Sequence, residues 1–65
     1  MKNSFLNYTK IILCKVSFSK ELFFRELKKS FRNLNSEEIQ ELRGYVRSII
    51  YNKPELKPAL YLIPS

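Results

Sequence analysis

From residue 4 to residue 16 the apolar positions Phe5, Tyr8, Ile12 and Val16 recur at spacings of three and four, and Leu6, Thr9 and Leu13 widen the same side. That period belongs to an amphipathic helix. Asn7, Lys10, Cys14 and Lys15 fall mostly on the other side, with Ile11 as the exception. After Ser17-Phe18-Ser19 the helical period resumes in Phe23, Phe24, Leu27, Phe31 and Leu34, which does not fit strand alternation. Ser19 is placed to cap this second helix, and Phe18 to pack on Phe23 as a hydrophobic staple. A third helix opens at Asn35, an N-cap whose reciprocal partner is Glu38, with Leu34 and Ile39 as its staple. It runs to about Tyr51 with Ile39, Leu42, Val46, Ile49 and Ile50 on one face. Glu37, Glu38 and Glu41 come early and Arg43 and Arg47 late, as the helix dipole prefers.

Beyond Asn52 the pattern changes. Pro54, Pro58 and Pro64 argue against a regular helix or a central strand, and predict an extended segment that could reach roughly 40 Å if stretched. Leu60, Tyr61, Leu62 and Ile63 are too apolar to be left in water, so this tail is expected to dock on RNA or a neighbouring protein, with the chain's own core left open as the alternative. The expected architecture is all-α. Three short helices in residues 1–52 would pack around Phe5, Ile12, Val16, Phe23, Leu27, Phe31, Leu34, Ile39, Leu42, Val46 and Ile49. An extended Pro-containing C-terminal tail, residues 53–65, would follow.

Length and composition narrow the chemistry. Sixty-five residues with 45% hydrophobic content suffice for one small core with a thin stability margin. Cys14 is the only cysteine and histidine is absent, so there is no internal disulfide, no Cys/His zinc set and no histidine general base. The single glycine, Gly44, excludes a Gly-rich phosphate loop. Capping and the helix dipole already account for Glu37, Glu38 and Glu41. The expectation is a non-enzymatic protein with no metal, no cofactor and no small-molecule substrate. Lys10 and Lys15 bracket an apolar run too short for a secretory signal, and no run approaches the roughly 18 residues of a membrane span. A cytoplasmic location is the default.

Charge supplies the positive signal. Twelve Lys and Arg against six Asp and Glu give a net charge of +6, which favours a polyanionic partner. On a helical wheel Arg25, Lys28, Lys29 and Arg32 share an arc of about 100°, opposite Phe23, Phe24, Leu27, Phe31 and Leu34. Four cations so close repel one another, and only Glu21, four residues before Arg25, offers relief. Arg43 and Arg47 flank them on the third helix. Beside those arginines Gln40, Gly44 and Ser48 form a strip poor in side chains, where a phosphate could approach. A DNA-reading helix-turn-helix fits badly, because Glu37 and Glu38 occupy the end of the third helix that would meet phosphates. An irregular RNA surface fits better, with backbone contacts positioning the protein and exposed aromatics such as Tyr51 and Tyr61 settling in crevices.

The order of segments is also informative: Asn7-Tyr8-Thr9-Lys10, Lys15-Val16-Ser17-Phe18, Glu21-Leu22-Phe23, Glu26-Leu27-Lys28-Lys29-Ser30, then Glu37-Glu38 and Glu41-Leu42-Arg43. Across roughly residues 7–47 it resembles a group of short bacterial helical proteins, and it is similar to lineage-restricted small proteins of the bacterial large ribosomal subunit. The departure is the longer proline-rich tail. The resemblance implies a structural component that holds ribosomal RNA beside neighbouring proteins. The competing expectation is a protein-interaction subunit of a larger assembly, at a membrane surface or elsewhere, in which the aromatic helices and Leu60 to Ile63 bind a protein groove.

Overall fold

A computed structural model of the chain describes residues 4–64. Three α-helices follow in order: α1 (Ser4–Lys15), α2 (Lys20–Ser30) and α3 (Ser36–Asn52). A 3-10 turn, Phe31–Asn33, extends α2, and a 3-10 helix, Pro54–Tyr61, follows α3. No strand occurs among the described residues, and the fold is all-α.

The helix starts follow from local side-chain chemistry. Ser19 has extended backbone and accepts a hydrogen bond from the Leu22 N–H at 3.4 Å. Asn35 forms a full capping box: its Oδ1 accepts from the Glu38 N–H at 2.8 Å, and its own N–H donates to Glu38 Oε1 at 3.0 Å. Two backbone donors that the helix itself cannot satisfy are thereby paired. The staple expected at α2 does not form. Phe18 is 76% exposed while Phe23 is fully buried. Three turn residues, Val16 to Phe18, separate α1 from the Ser19 cap and carry the Phe18 ring out into solvent.

The core consists of Leu6, Leu13, Phe23, Leu27, Leu34, Leu42, Val46, Leu56, Ala59 and Ile63. On α1 the buried line is Leu6, Thr9 and Leu13, whereas Phe5 and Tyr8 are exposed and Ile12 is half-buried. The face centred on Phe5, Tyr8 and Ile12 is therefore turned toward the rim. Apolar residues cover most of the circumference of α1, so their period alone does not point in one direction; contact with both α2 and α3 selects the Leu6–Leu13 line. Thr9 is admitted because its hydroxyl donates to the Phe5 carbonyl at 2.9 Å.

The C-terminal segment differs most from expectation. Residues 54–61 wind as a 3-10 helix and pack against α3 and α2 instead of extending. Lys53 makes the corner: its N–H donates to the Ile49 and Ile50 carbonyls at 3.0 Å each, closing α3, and its carbonyl accepts from the Leu56 N–H at 2.9 Å. Pro54 occupies the first helical turn, where no backbone donor is needed and its fixed φ is already suitable. Pro58 forfeits one internal bond, and burial of Leu56 and Ala59 on either side offsets the cost. The chain measures 31 × 23 × 18 Å, shorter in its longest direction than the expected arm alone.

This segment completes the core. α2 and α3 barely touch directly; α1 and the C-terminal 3-10 helix each pack against both. Among the described residues, three of the ten buried apolar side chains, Leu56, Ala59 and Ile63, come from this C-terminal segment. Truncating fully buried Leu56 to alanine should therefore destabilise the fold by about 2–5 kcal/mol, the range for core leucines. Urea titration followed by circular dichroism measures this; an unchanged midpoint would mean that the tail is an appendage.

Candidate nucleic-acid interface

The hydrophobic period that buries Phe23 and Leu27 forces the other side of α2 outward. Arg25, Lys28 and Lys29 are all exposed there, and Arg32 is exposed on the following 3-10 turn. Lys28 and Lys29 also occupy the last turn of α2, where the negative end of the helix dipole favours cations. Arg25 sits mid-helix, outside that explanation.

The ridge is less uniformly repulsive than the wheel implies. Lys29 Nζ lies 3.3 Å from Glu26 Oε2, an i,i+3 pair, so the acidic relief on the ridge comes from Glu26 and not from the expected Glu21, which makes no ion pair among the described residues. With the Lys29 side chain 66% exposed, the pair adds little to stability and can open to a competing anion. Among the described residues no carboxylate lies within 4.0 Å of the guanidinium or ammonium groups of Arg25, Lys28 or Arg32.

Arg43 is half-buried and Arg47 exposed, one turn apart on α3. With Gln40 and Gly44 they line a shallow trough. Ser48 is not part of its lining: its hydroxyl donates to the Tyr45 carbonyl at 2.6 Å. Beyond its chain neighbours and the backbone of its own helix, nothing lies within 4 Å of where a side chain on Gly44 would start, so its missing side chain is not required by packing. The six cations thus divide into a ridge on α2 and its 3-10 turn and a pair on α3, with no hydrogen bond or ion pair joining the two among the described residues.

The expected docking residues of the tail also divide. Ile63 is buried in the chain's own core, Leu60 and Leu62 are half-buried, and Tyr61 is 86% exposed. Tyr51 is equally open, so both candidate tyrosines present their rings to solvent. Lys10 is engaged elsewhere, bridging α1 to α3 through Glu41 at 3.1 Å and lying 5.7 Å from the Tyr45 ring centroid. One further feature goes beyond the sequence-based expectation. Phe5, Tyr8, Thr9 and Ile12 of α1 face Glu26, Lys29, Ser30 and Asn33 across a cleft of about 210 Å³. The wide apolar surface of α1 is its only signal in the sequence.

Among the described residues no group of three His, Cys, Asp or Glu side chains could hold a metal ion, and no helix is long and apolar enough to cross a membrane.

Two outcomes follow. Gly44→Ala should raise the stability of the free protein by up to about 1 kcal/mol, the helix-propensity difference, because the methyl meets open space; thermal melts measure it. Burial raises the pKa of Tyr45 above its ordinary 10.0, and the neighbouring Cys14 thiol adds to the shift. The folded protein then keeps the phenolic proton after the unfolded chain has lost it. The Tyr45 contribution to stability is therefore complete below about pH 10 and is lost as pH rises through the folded value. Tyr45→Phe should flatten that alkaline decline in denaturation midpoints measured from pH 9 upward.

No protein-family model matches this chain, and neither a curated protein nor a solved structure does.

Proposed function

We propose that the chain is a small structural RNA-binding protein, associated with the ribosome, that holds the RNA backbone against the outer side of α2. The observation that carries this reading is the cationic ridge itself. Arg25, Lys28 and Arg32 stand exposed without an acidic partner among the described residues, opposite the buried Phe23 and Leu27. Such a surface is electrostatically costly in isolation and becomes favourable when phosphates neutralise it and release their counterions. Arg43 and Arg47 would hold a second stretch of backbone along the Gln40–Gly44 trough.

The chemistry suits backbone contact better than reading of duplex DNA. The N-terminus of α3 carries exposed Glu37, and the Glu38 carboxylate there is held by the Asn35 N–H. Association with the large ribosomal subunit rests on the resemblance carried by residues 7–47. The competing reading, an interaction subunit of a protein assembly, draws support from exposed Tyr8, Ile11 and Phe18. Burial of Ile63 removes one of the four side chains on which its tail docking depends.

The test is salt-dependent RNA binding by the intact chain. The triple variant Arg25→Glu/Lys28→Glu/Arg32→Glu should fold normally, since all three side chains are exposed. It should weaken RNA binding at every sequence tried. It should also reduce the slope of log affinity against log salt by about 0.7–0.9 for each phosphate that is no longer neutralised. In lysates it should no longer co-sediment with the large ribosomal subunit. Unchanged sedimentation and no RNA recovered with the wild-type chain would refute the proposal and favour a protein partner.

A further inference from the structure

The cleft between α1 and α2 opens beside the cationic ridge, and its two walls differ in chemistry. The α1 wall carries Phe5, Tyr8 and Ile12, with the two rings at a centroid distance of 6.3 Å and tilted by 38°. The opposite wall carries Glu26, Lys29, Ser30 and Asn33. The Thr9 and Ser30 hydroxyl protons are already used internally, on the Phe5 carbonyl at 2.9 Å and the Leu27 carbonyl at 2.7 Å. The Glu26 carboxylate, the Lys29 ammonium and the Asn33 amide supply the remaining polar groups of the cleft.

We propose that this cleft is a pocket for one unpaired nucleotide of single-stranded RNA, the base lying against Tyr8 and Phe5 while its phosphate meets Lys29 and the adjoining ridge. The inference rests on the RNA-binding reading of α2 and adds to it a ligand class, unpaired RNA, at a place that phosphate contacts alone do not explain. Three features select this occupant. A volume of about 210 Å³ lies below the roughly 300 Å³ at which pockets for drug-sized ligands begin, so the cleft suits one small planar group. Exposed aromatic rings with a cation alongside match the π-face and phosphate of a nucleotide, the combination that single-strand binders use. A carboxylate and an amide on the same wall, Glu26 and Asn33, offer both acceptor and donor to a base edge. Glu26 would repel a bare anion from the cleft, yet it can accept from exocyclic amino or ring N–H groups.

Tyr8 is 59% exposed, so changing it leaves the buried core intact. The assay is fluorescence anisotropy of the full chain with a single-stranded RNA hexamer and with an RNA duplex, together with the emission of a hexamer carrying 2-aminopurine. The wild-type chain should favour the single strand and quench the 2-aminopurine. Tyr8→Leu, which keeps apolar bulk but removes the ring, should weaken single-strand binding at least about five-fold, the lower end of base–aromatic stacking, and abolish the quench. Its duplex binding and salt slope should not change. Tyr8→Phe should behave as wild type, Asn33→Ala on the facing wall should also weaken the single strand selectively, and Phe18→Leu, an exposed ring outside the cleft, should have no effect. Equal weakening on single strand and duplex, or no weakening with the quench intact, would overturn the pocket while leaving the ridge proposal standing. Absence of salt-dependent binding to either RNA would overturn both.

Discussion

Closure of the core by Leu56, Ala59 and Ile63 is the interaction on which the rest of the structure depends. In so short a chain surface is large relative to volume, and helices of 12, 11 and 17 residues leave a seam that none of them covers. Because α2 and α3 barely meet, that seam needs a further layer, which the C-terminal 3-10 helix supplies from one side and α1 from the other. The proline content that discourages an α-helix is compatible with this tighter coil. Pro54 begins it where no donor is required, and at the corner the Lys53 N–H is shared by two carbonyls of the last turn of α3, those of Ile49 and Ile50.

The same packing decides which surfaces are left for partners. α2 is held on its buried side by α1 and the C-terminal 3-10 helix, which leaves its outer side free to carry the cations out of reach of most acids of the chain. α1 is held by two neighbours, and its surplus of apolar residues spills over the rim as Tyr8, Ile11 and the wall of the cleft. Cationic and apolar surfaces therefore adjoin across the α1–α2 junction. That adjacency arises from packing and is invisible along the chain.

Features governed by neighbours in sequence are legible from the residues alone. The Asn35–Glu38 capping box, the Ser19 cap and the outward direction of Arg25, Lys28, Lys29 and Arg32 each depend on a few consecutive residues or on one helical period. Features that depend on tertiary partners are not. The orientation of α1 is ambiguous in the sequence because Phe5, Leu6, Tyr8, Ile11, Ile12 and Leu13 ring most of its axis. In the tail the prolines mask a second signal: Leu56, Ala59 and Ile63, spaced by three and then four residues, carry a buried-helix signature of their own. The acidic relief on α2 is by contrast local: Glu26 stands three residues before Lys29 and pairs with it, whereas Glu21, four before Arg25, makes no ion pair among the described residues.

The corner at Lys53 has a consequence for the order of events when the protein is made. The chain is synthesised from its N-terminus, so α1, α2 and α3 are complete before Leu56 exists, and for that interval they expose the seam that it will fill. Seven buried positions must wait for three. Folding of this core cannot finish until residue 63 has cleared the machinery that made it, and α2, at 11 residues too short to hold its turns alone in water, depends on that core as well. The ridge therefore takes its final form only when the last buried side chain is in place.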